Sequence, residues 1–186
     1  MRHGRHGFTM IELMIVMVVI GVLAAMMMFS STEAESSARA QSIVNNFMQI
    51  QKAISSWYAD NLHRIVIKSG NQYNILDTDG KTKLALKVFA QKYGAEITKY
   101  LHNGTNIKLT GKEDKSIKAG DYVLIDVDYK KWYVCYNTGK DTHIQGKLAG
   151  RAKTLGLIAV NDNLNGVGSV YSGGKFVGIS VLDLDK

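Results

Sequence analysis

Between Phe8 and Phe29 the only charged side chain is Glu12, and from Leu13 to Phe29 no strongly polar side chain appears at all. An ionised carboxylate in an apolar segment costs on the order of 2.5–3.5 kcal/mol at mid-membrane depth on insertion scales, less near an end. A residue that carries such a cost implies a partner, and a positive charge at the same depth would suffice. Within this segment the one group able to supply it is a new α-amine, made by cutting the chain just before Phe8. The remaining candidate chemistry is thin. Asn161-Asp162-Asn163-Leu164-Asn165-Gly166 places oxygen-bearing side chains at alternate positions ahead of a glycine, as at the start of a calcium loop. An EF-hand also needs an acid six positions beyond that glycine, where Ser172 stands, and asparagine–glycine clusters ordinarily form turns. Calcium held by Asn161, Asn163 and Asn165 therefore stands beside a plain turn, and Asp77-Thr78-Asp79-Gly80 reads as a turn.

His63, His102 and His143 are scattered without metal-ligand spacing, while His3 and His6 precede Phe8. No nucleophile–base arrangement and no phosphate-cradling glycine loop can be read, so the expectation is a protein that is not an enzyme and carries no cofactor. A single cysteine, Cys135, excludes an internal disulfide and a cysteine-based zinc site. It lies in a strand-like run and reads as a small buried apolar residue.

The elements that must position Glu12 follow from the same residues. The 22 positions from Phe8 to Phe29 would span about 33 Å as a helix at ~1.5 Å per residue, against a bilayer core roughly 30 Å thick. Arg2 and Arg5 precede the run, and the first acids after it are Glu33 and Glu35. The positive-inside rule then places the N-terminus in the cytoplasm and residues 30–186 outside. A cleavable secretory signal has a shorter apolar stretch, about 7–15 residues, followed by a small-x-small site. Here Met26-Met27-Met28-Phe29-Ser30-Ser31 follows instead. A plain membrane anchor accounts for length and orientation and leaves Glu12 unexplained.

Gly7-Phe8-Thr9-Met10-Ile11-Glu12-Leu13 ahead of an apolar helix resembles the class III signal of type IV pilins and the related pseudopilins. The likeness covers residues 1–60 in kind and Gly7 to Phe29 in strict motif. It implies that a prepilin peptidase cuts between Gly7 and Phe8 on the cytoplasmic side and N-methylates Phe8. It further implies that Glu12 meets the Phe8 amine of a neighbouring subunit as a helical filament of identical subunits assembles. Gly7 suits its place, because a side chain there would hinder close approach of a protease to the backbone. The resemblance also implies an inner-membrane pilus assembly machinery driven by an ATPase, a single-pass precursor in the cytoplasmic membrane, and an extracellular pilus. Some pseudopilins bind calcium near the C-terminus, which keeps Asp183 and Asp185 in view. The length left after residues 1–7 leans towards a pilin proper. A pseudopilin of a type II secretion system remains the rival within the family. A membrane-anchored extracellular binding domain or enzyme is the rival from another class.

The fold expected is α+β and pilin-like, with a long N-terminal helix whose apolar half protrudes, packed on a mainly antiparallel sheet. Its parts are a leader at 1–7, an apolar half-helix at 8–29, an amphipathic half at 30–62, a variable connection at 63–119 and a sheet at 120–186. The chain has no proline, and no glycine lies between Val22 and Ser69. Nothing therefore forces a break in the helix beyond a penalty of about 1 kcal/mol at Gly21. Ile43, Phe47, Ile50, Ile54 and Trp57 recur at spacings of four and three, which marks one buried helical face. Many pilins break this helix with a proline; here Gly21 and Ser30-Ser31-Thr32 are the weak points.

Fifteen of the 18 glycines lie from Gly70 onward, with eight of the nine tyrosines, a composition that favours strands and turns. Tyr122–Val127 and Lys131–Tyr136 read as a hairpin, and Ile65–Ile67 with Tyr73–Leu76 as a smaller one. Gly173-Gly174 predicts a third hairpin between Gly168–Ser172 and Lys175–Leu182. Thr82–Tyr93 predicts a short helix closed by Gly94.

Averages alone describe a soluble domain: 46% hydrophobic, 21% charged, mean hydropathy −0.07. They exclude disorder and a multi-span membrane protein, although six of the eight methionines crowd between Met10 and Met28. With Arg2 and Arg5 removed from 23 basic residues, base still exceeds the 16 acids. Such a surface could favour DNA, anionic polymers or negatively charged cell surfaces. Lys108, Lys112, Lys115 and Lys118 alternate with acids and glycines and read as a solvated loop.

Overall fold

The computed structural model describes residues 8–68, 72–76, 81, 83–85, 89, 94–101, 107–112, 116–127 and 131–184. Helix α1 runs unbroken from Met10 to Asn61, 52 residues, or about 78 Å at ~1.5 Å per residue. A single 3-10 turn, Leu62–Arg64, ends it. Burial begins only at Ser36 and then follows the expected stripe through Ala40, Ile43, Val44, Phe47, Ile50, Ile54 and Trp57. Met10 to Phe29 stay exposed on every face. Around the change of character the helix is locally weakened. Thr32 Oγ1 donates to the Met28 carbonyl at 3.1 Å and Ser36 Oγ to the Thr32 carbonyl at 2.9 Å, back-bonding that slightly destabilises and bends helices.

Two sheets follow. Strands β1 (Ile65–Lys68), β2 (Gln72–Leu76) and β3 (Lys83–Ala85) form an antiparallel three-stranded sheet. A short helix, α2 (Gly94–Thr98), leads on to the second sheet. That sheet has β4 (Leu109–Gly111), β5 (Tyr122–Val127), β6 (Lys131–Asn137), β7 (Ile158–Val160), β8 (Val167–Val170) and β9 (Phe176–Asp183). Its order is β4-β5-β6-β9-β7-β8, with only β4–β5 parallel. Helix α3 (Thr142–Leu155) links β6 to β7. The result is the pilin-like α+β fold expected.

Side chains alternate across the large sheet. Tyr122, Leu124, Trp132, Val134, Val177 and Val181 join the stripe of α1 in the main core. Trp57 stacks on Trp132 and Phe89, with ring centroids 5.4 and 4.9 Å apart. Val123, Ile125, Cys135 and Phe176 point to the opposite face, where Leu164 from the β7–β8 turn covers them. The buried Cys135 thiol is pushed well above its ordinary pKa by desolvation, so it stays protonated and inert.

The first two expected hairpins are present: Tyr122 faces Tyr136 in β5–β6, and Ile65 faces Ile75 in β1–β2. Three other features differ from expectation. The third hairpin does not form, because β7 lies between β8 and β9. Gly173 and Gly174 have φ of 135° and 123°, beyond the roughly 60–90° of a tight primed turn, and β8 and β9 run parallel on either side of β7, so the link from Val170 to Phe176 passes from one end of β7 to the other instead of reversing at once. Tyr171 N–H bonds the Leu157 carbonyl at 3.0 Å, and Tyr171 and Thr138 hydroxyls both donate to the Gly174 carbonyl. Second, Lys83–Ala85 is strand rather than helix, because Leu84 pairs with Ile75; Phe89 is helical as expected, and Gly94 is the first residue of α2. Positions 82, 86–88 and 90–93 of that expected helix lie outside the described residues. Third, α3 is additional. Gly146 and Gly150 dilute its helical signal, but Asp141 caps it by accepting from Ile144 N–H at 3.0 Å. Ile144, Leu148 and Ala152 bury one face, and Gly156 closes it at φ 66°.

Gly178 shows how closely β9 is seated. A Cβ there would come within 2.9 Å of Val160 Cγ2 and 3.2 Å of Cys135 Sγ. Gly178→Ala should therefore lower stability by about 1–3 kcal/mol, the usual cost of overpacking. Thermal unfolding in detergent would measure it, and an unchanged midpoint would contradict this packing.

Candidate processing and assembly site

Phe8 is 87% exposed and stands outside the helix. Thr9 follows on extended backbone, φ −77° and ψ 151°, and is the N-cap of α1. Its side chain accepts from Glu12 N–H at 3.3 Å. Glu12 Oε2 in return accepts from Thr9 N–H at 2.8 Å and from the Thr9 hydroxyl at 2.9 Å. This capping box satisfies two of the donors that a helix start leaves without partners. The carboxylate charge also sits at the positive end of the helix dipole, where it is favoured. Behind it lies a stretch long and apolar enough to cross a membrane, none of it buried within the subunit. Gly7, the other side of the expected cut, lies outside the described residues.

The sequence reading gives Glu12 an intermolecular partner only and overlooks Thr9, although Thr-x-x-Glu ahead of an apolar run is a capping-box signature. It also misses the polar clasp by which α3 grips α1. Lys147 Nζ meets Glu33 Oε1 at 2.8 Å, and the Arg151 guanidinium donates to Gln41 Oε1 at 2.6 Å. Farther along, Arg64 donates to Glu96 at 2.8 Å, to Asn61 at 2.7 Å and to the Leu76 carbonyl at 2.8 Å. Trp57 Nε1 also donates to Glu96, at 3.0 Å. These contacts tie the C-terminal end of α1 to β2 and α2.

The other candidates take ordinary structural places. Asn161 Oδ1 accepts from the N–H groups of Asn165 and Gly166 at 2.8 and 3.2 Å, so it holds the β7–β8 turn. Asn163 and Asn165 are exposed in that turn. Asp183 pairs with Lys131 at 3.4 Å. His63 and His143 are exposed and separate. No group of three or more His, Cys, Asp or Glu suited to a metal occurs among the described residues. Asp77–Gly80, His102 and Asp185 lie outside them.

A protruding apolar helix that begins at a lone carboxylate, with its second half laid on a mainly antiparallel sheet, is a pilin-like α+β fold. The family described as the prokaryotic N-terminal methylation motif matches residues 2–28, so the chain carries the class III signal typical of type IV pilins and pseudopilins. Pilin family proteins are structural and not enzymatic. No curated protein and no solved structure matches this chain.

The clasp gives a pH-dependent signature. The hydrogen bond and charge of Lys147 hold the Glu33 carboxyl below its ordinary pKa. A depressed folded-state value means that the contribution is present above the unfolded pKa and lost as pH falls through the folded one. Carboxyl-carbon NMR should place the Glu33 midpoint below the unperturbed ~4.3, and Lys147→Met should return it upward. Equal midpoints in the two proteins would argue against the clasp.

Proposed function

We propose that the chain is a prepilin, the structural subunit of a type IV pilus. A prepilin peptidase cuts it between Gly7 and Phe8 and methylates the new Phe8 amine. The inner-membrane assembly machinery then builds the subunit into an extracellular filament of identical copies. The observation that carries this reading is the position of Glu12: one carboxylate at the start of a wholly exposed apolar half-helix, Met10–Phe29, within a matched methylation motif. In the filament the neighbours' helices replace lipid around Met10–Phe29, so this surface leaves the bilayer without meeting water.

The pairing of Glu12 with the Phe8 amine of a neighbour would set register more than raw stability. Two buried opposite charges offset each other's desolvation, whereas a missing partner strands one at a cost of roughly 3–5 kcal/mol. A pseudopilin of a type II secretion system would use the same site and differs in the length and location of its fibre.

Electron microscopy of sheared cells, with mass spectrometry of the main sheared band, tests the reading. The expected result is surface fibres whose subunit begins at methylated Phe8. An intact N-terminus at Met1 would overturn the processing step. Glu12→Ala should leave the subunit in the membrane and abolish most fibres; normal fibre yield would refute the pairing.

A further inference from the structure

Hydrolysis of the Gly7–Phe8 bond adds water across it, leaving a carboxylate on Gly7 and an amine on Phe8. A protease needs that bond on extended, accessible backbone, because a helix would engage the flanking N–H and carbonyl groups in its own ladder. Once nucleated, a helix extends readily, each further residue adding one hydrogen bond. Without proline anywhere in the chain, no ring excludes the residues around the bond from α1.

What stops α1 in the structure is the side chain of Thr9. Its backbone is extended, its oxygen occupies the Glu12 N–H, and its own N–H is held by the Glu12 carboxylate. The helix therefore starts at Met10 and Phe8 remains outside it. The matched methylation motif spans residues 2–28 and so covers this same helix start. We propose that Thr9 is a positioning residue for processing: by capping α1 it keeps Phe8 off the helix, so that the peptidase can reach the backbone on the amine side of the expected cut. This inference rests on the reading of the chain as a prepilin. It assigns Glu12 a second task, within its own subunit and before any neighbour arrives.

If the cap is lost, α1 can grow back over Phe8 and only a fraction of precursor keeps the bond available. The apparent affinity for the peptidase falls by that fraction, while the rate of the bound complex is unchanged. The full-length chain in inner-membrane vesicles containing the peptidase provides the test, with initial cleavage rates measured over a range of substrate. Thr9→Val keeps the shape and removes the acceptor; Thr9→Ser restores the acceptor. Thr9→Val should raise KM by about fivefold, the size of a typical cap, with kcat nearly unchanged, and Thr9→Ser should stay near wild type. NMR of uncut Thr9→Val in detergent should move the Phe8 Cα shift towards helical values. Equal KM for Thr9→Val and wild type would overturn the inference and leave the prepilin reading standing. Loss of cleavage in both Thr9→Val and Thr9→Ser would also overturn it, because side-chain shape rather than capping would then be read. Failure of the wild-type chain to be cut would instead remove the prepilin reading.

Discussion

A carboxylate must be satisfied where there is no water to do it, and the N-terminal third of this protein is organised around that constraint. In the single subunit the nearest answer is local. Thr9 offers Glu12 both a backbone N–H and a hydroxyl, and the helix start supplies a favourable field. The same contacts decide where the helix begins and keep Phe8 outside it. Glu12 thus has partners within its own chain, and its carboxylate sits four residues from Phe8. In the filament proposed above, pairing would exchange one set of donors for another instead of desolvating a bare ion.

From that end the helix runs without a break to a domain that grips only its second half. The grip begins with the Glu33–Lys147 and Gln41–Arg151 contacts, deepens through Phe47, Ile50, Ile54 and Trp57, and ends at the Arg64–Glu96 pair. Arg64 and Glu96 are both mostly buried, so removing either would strand the other, whereas the exposed Lys147–Glu33 pair sets orientation more than stability. Residues 10–29 are thereby left projecting, with the Thr32 and Ser36 back-bonds lying where free helix meets gripped helix. A helix without proline can still bend there.

Much of this was legible in the sequence, for physical reasons that differ by region. The apolar half-helix, its lone carboxylate and the 4-3-4-3 stripe from Ile43 to Trp57 depend on local composition and one helical period, and the structure reproduces them. The β5–β6 and β1–β2 hairpins are likewise contacts between neighbours in sequence. What failed is non-local. Gly173-Gly174 looks like a turn between partners, yet the three residues of β7 carry too little pattern to announce that they intrude. Leu84 is drawn into strand by Ile75, a pairing across residues that local propensity does not see. Helix α3 hides behind Gly146 and Gly150 because its stability comes from Ile144, Leu148 and Ala152 packing on α1. At the site itself Glu12 stood out by hydropathy, while Thr9, whose part depends on φ, ψ and a reciprocal hydrogen bond, did not.

The position of β9 has a consequence for how the head is made. This strand comes last in chain order among the described strands, yet it lies at the middle of the six-stranded sheet, between β6 and β7. Until β9 is in place, the β5–β6 hairpin has an open edge and β7–β8 has nothing to join. Neither half can close until residues 176–183 arrive. The head is thus completed only by a full-length chain, and a late stop codon would leave two unjoined fragments with sticky edges. Without a disulfide to pin its end, the six-stranded sheet depends on its last described strand to join its two halves.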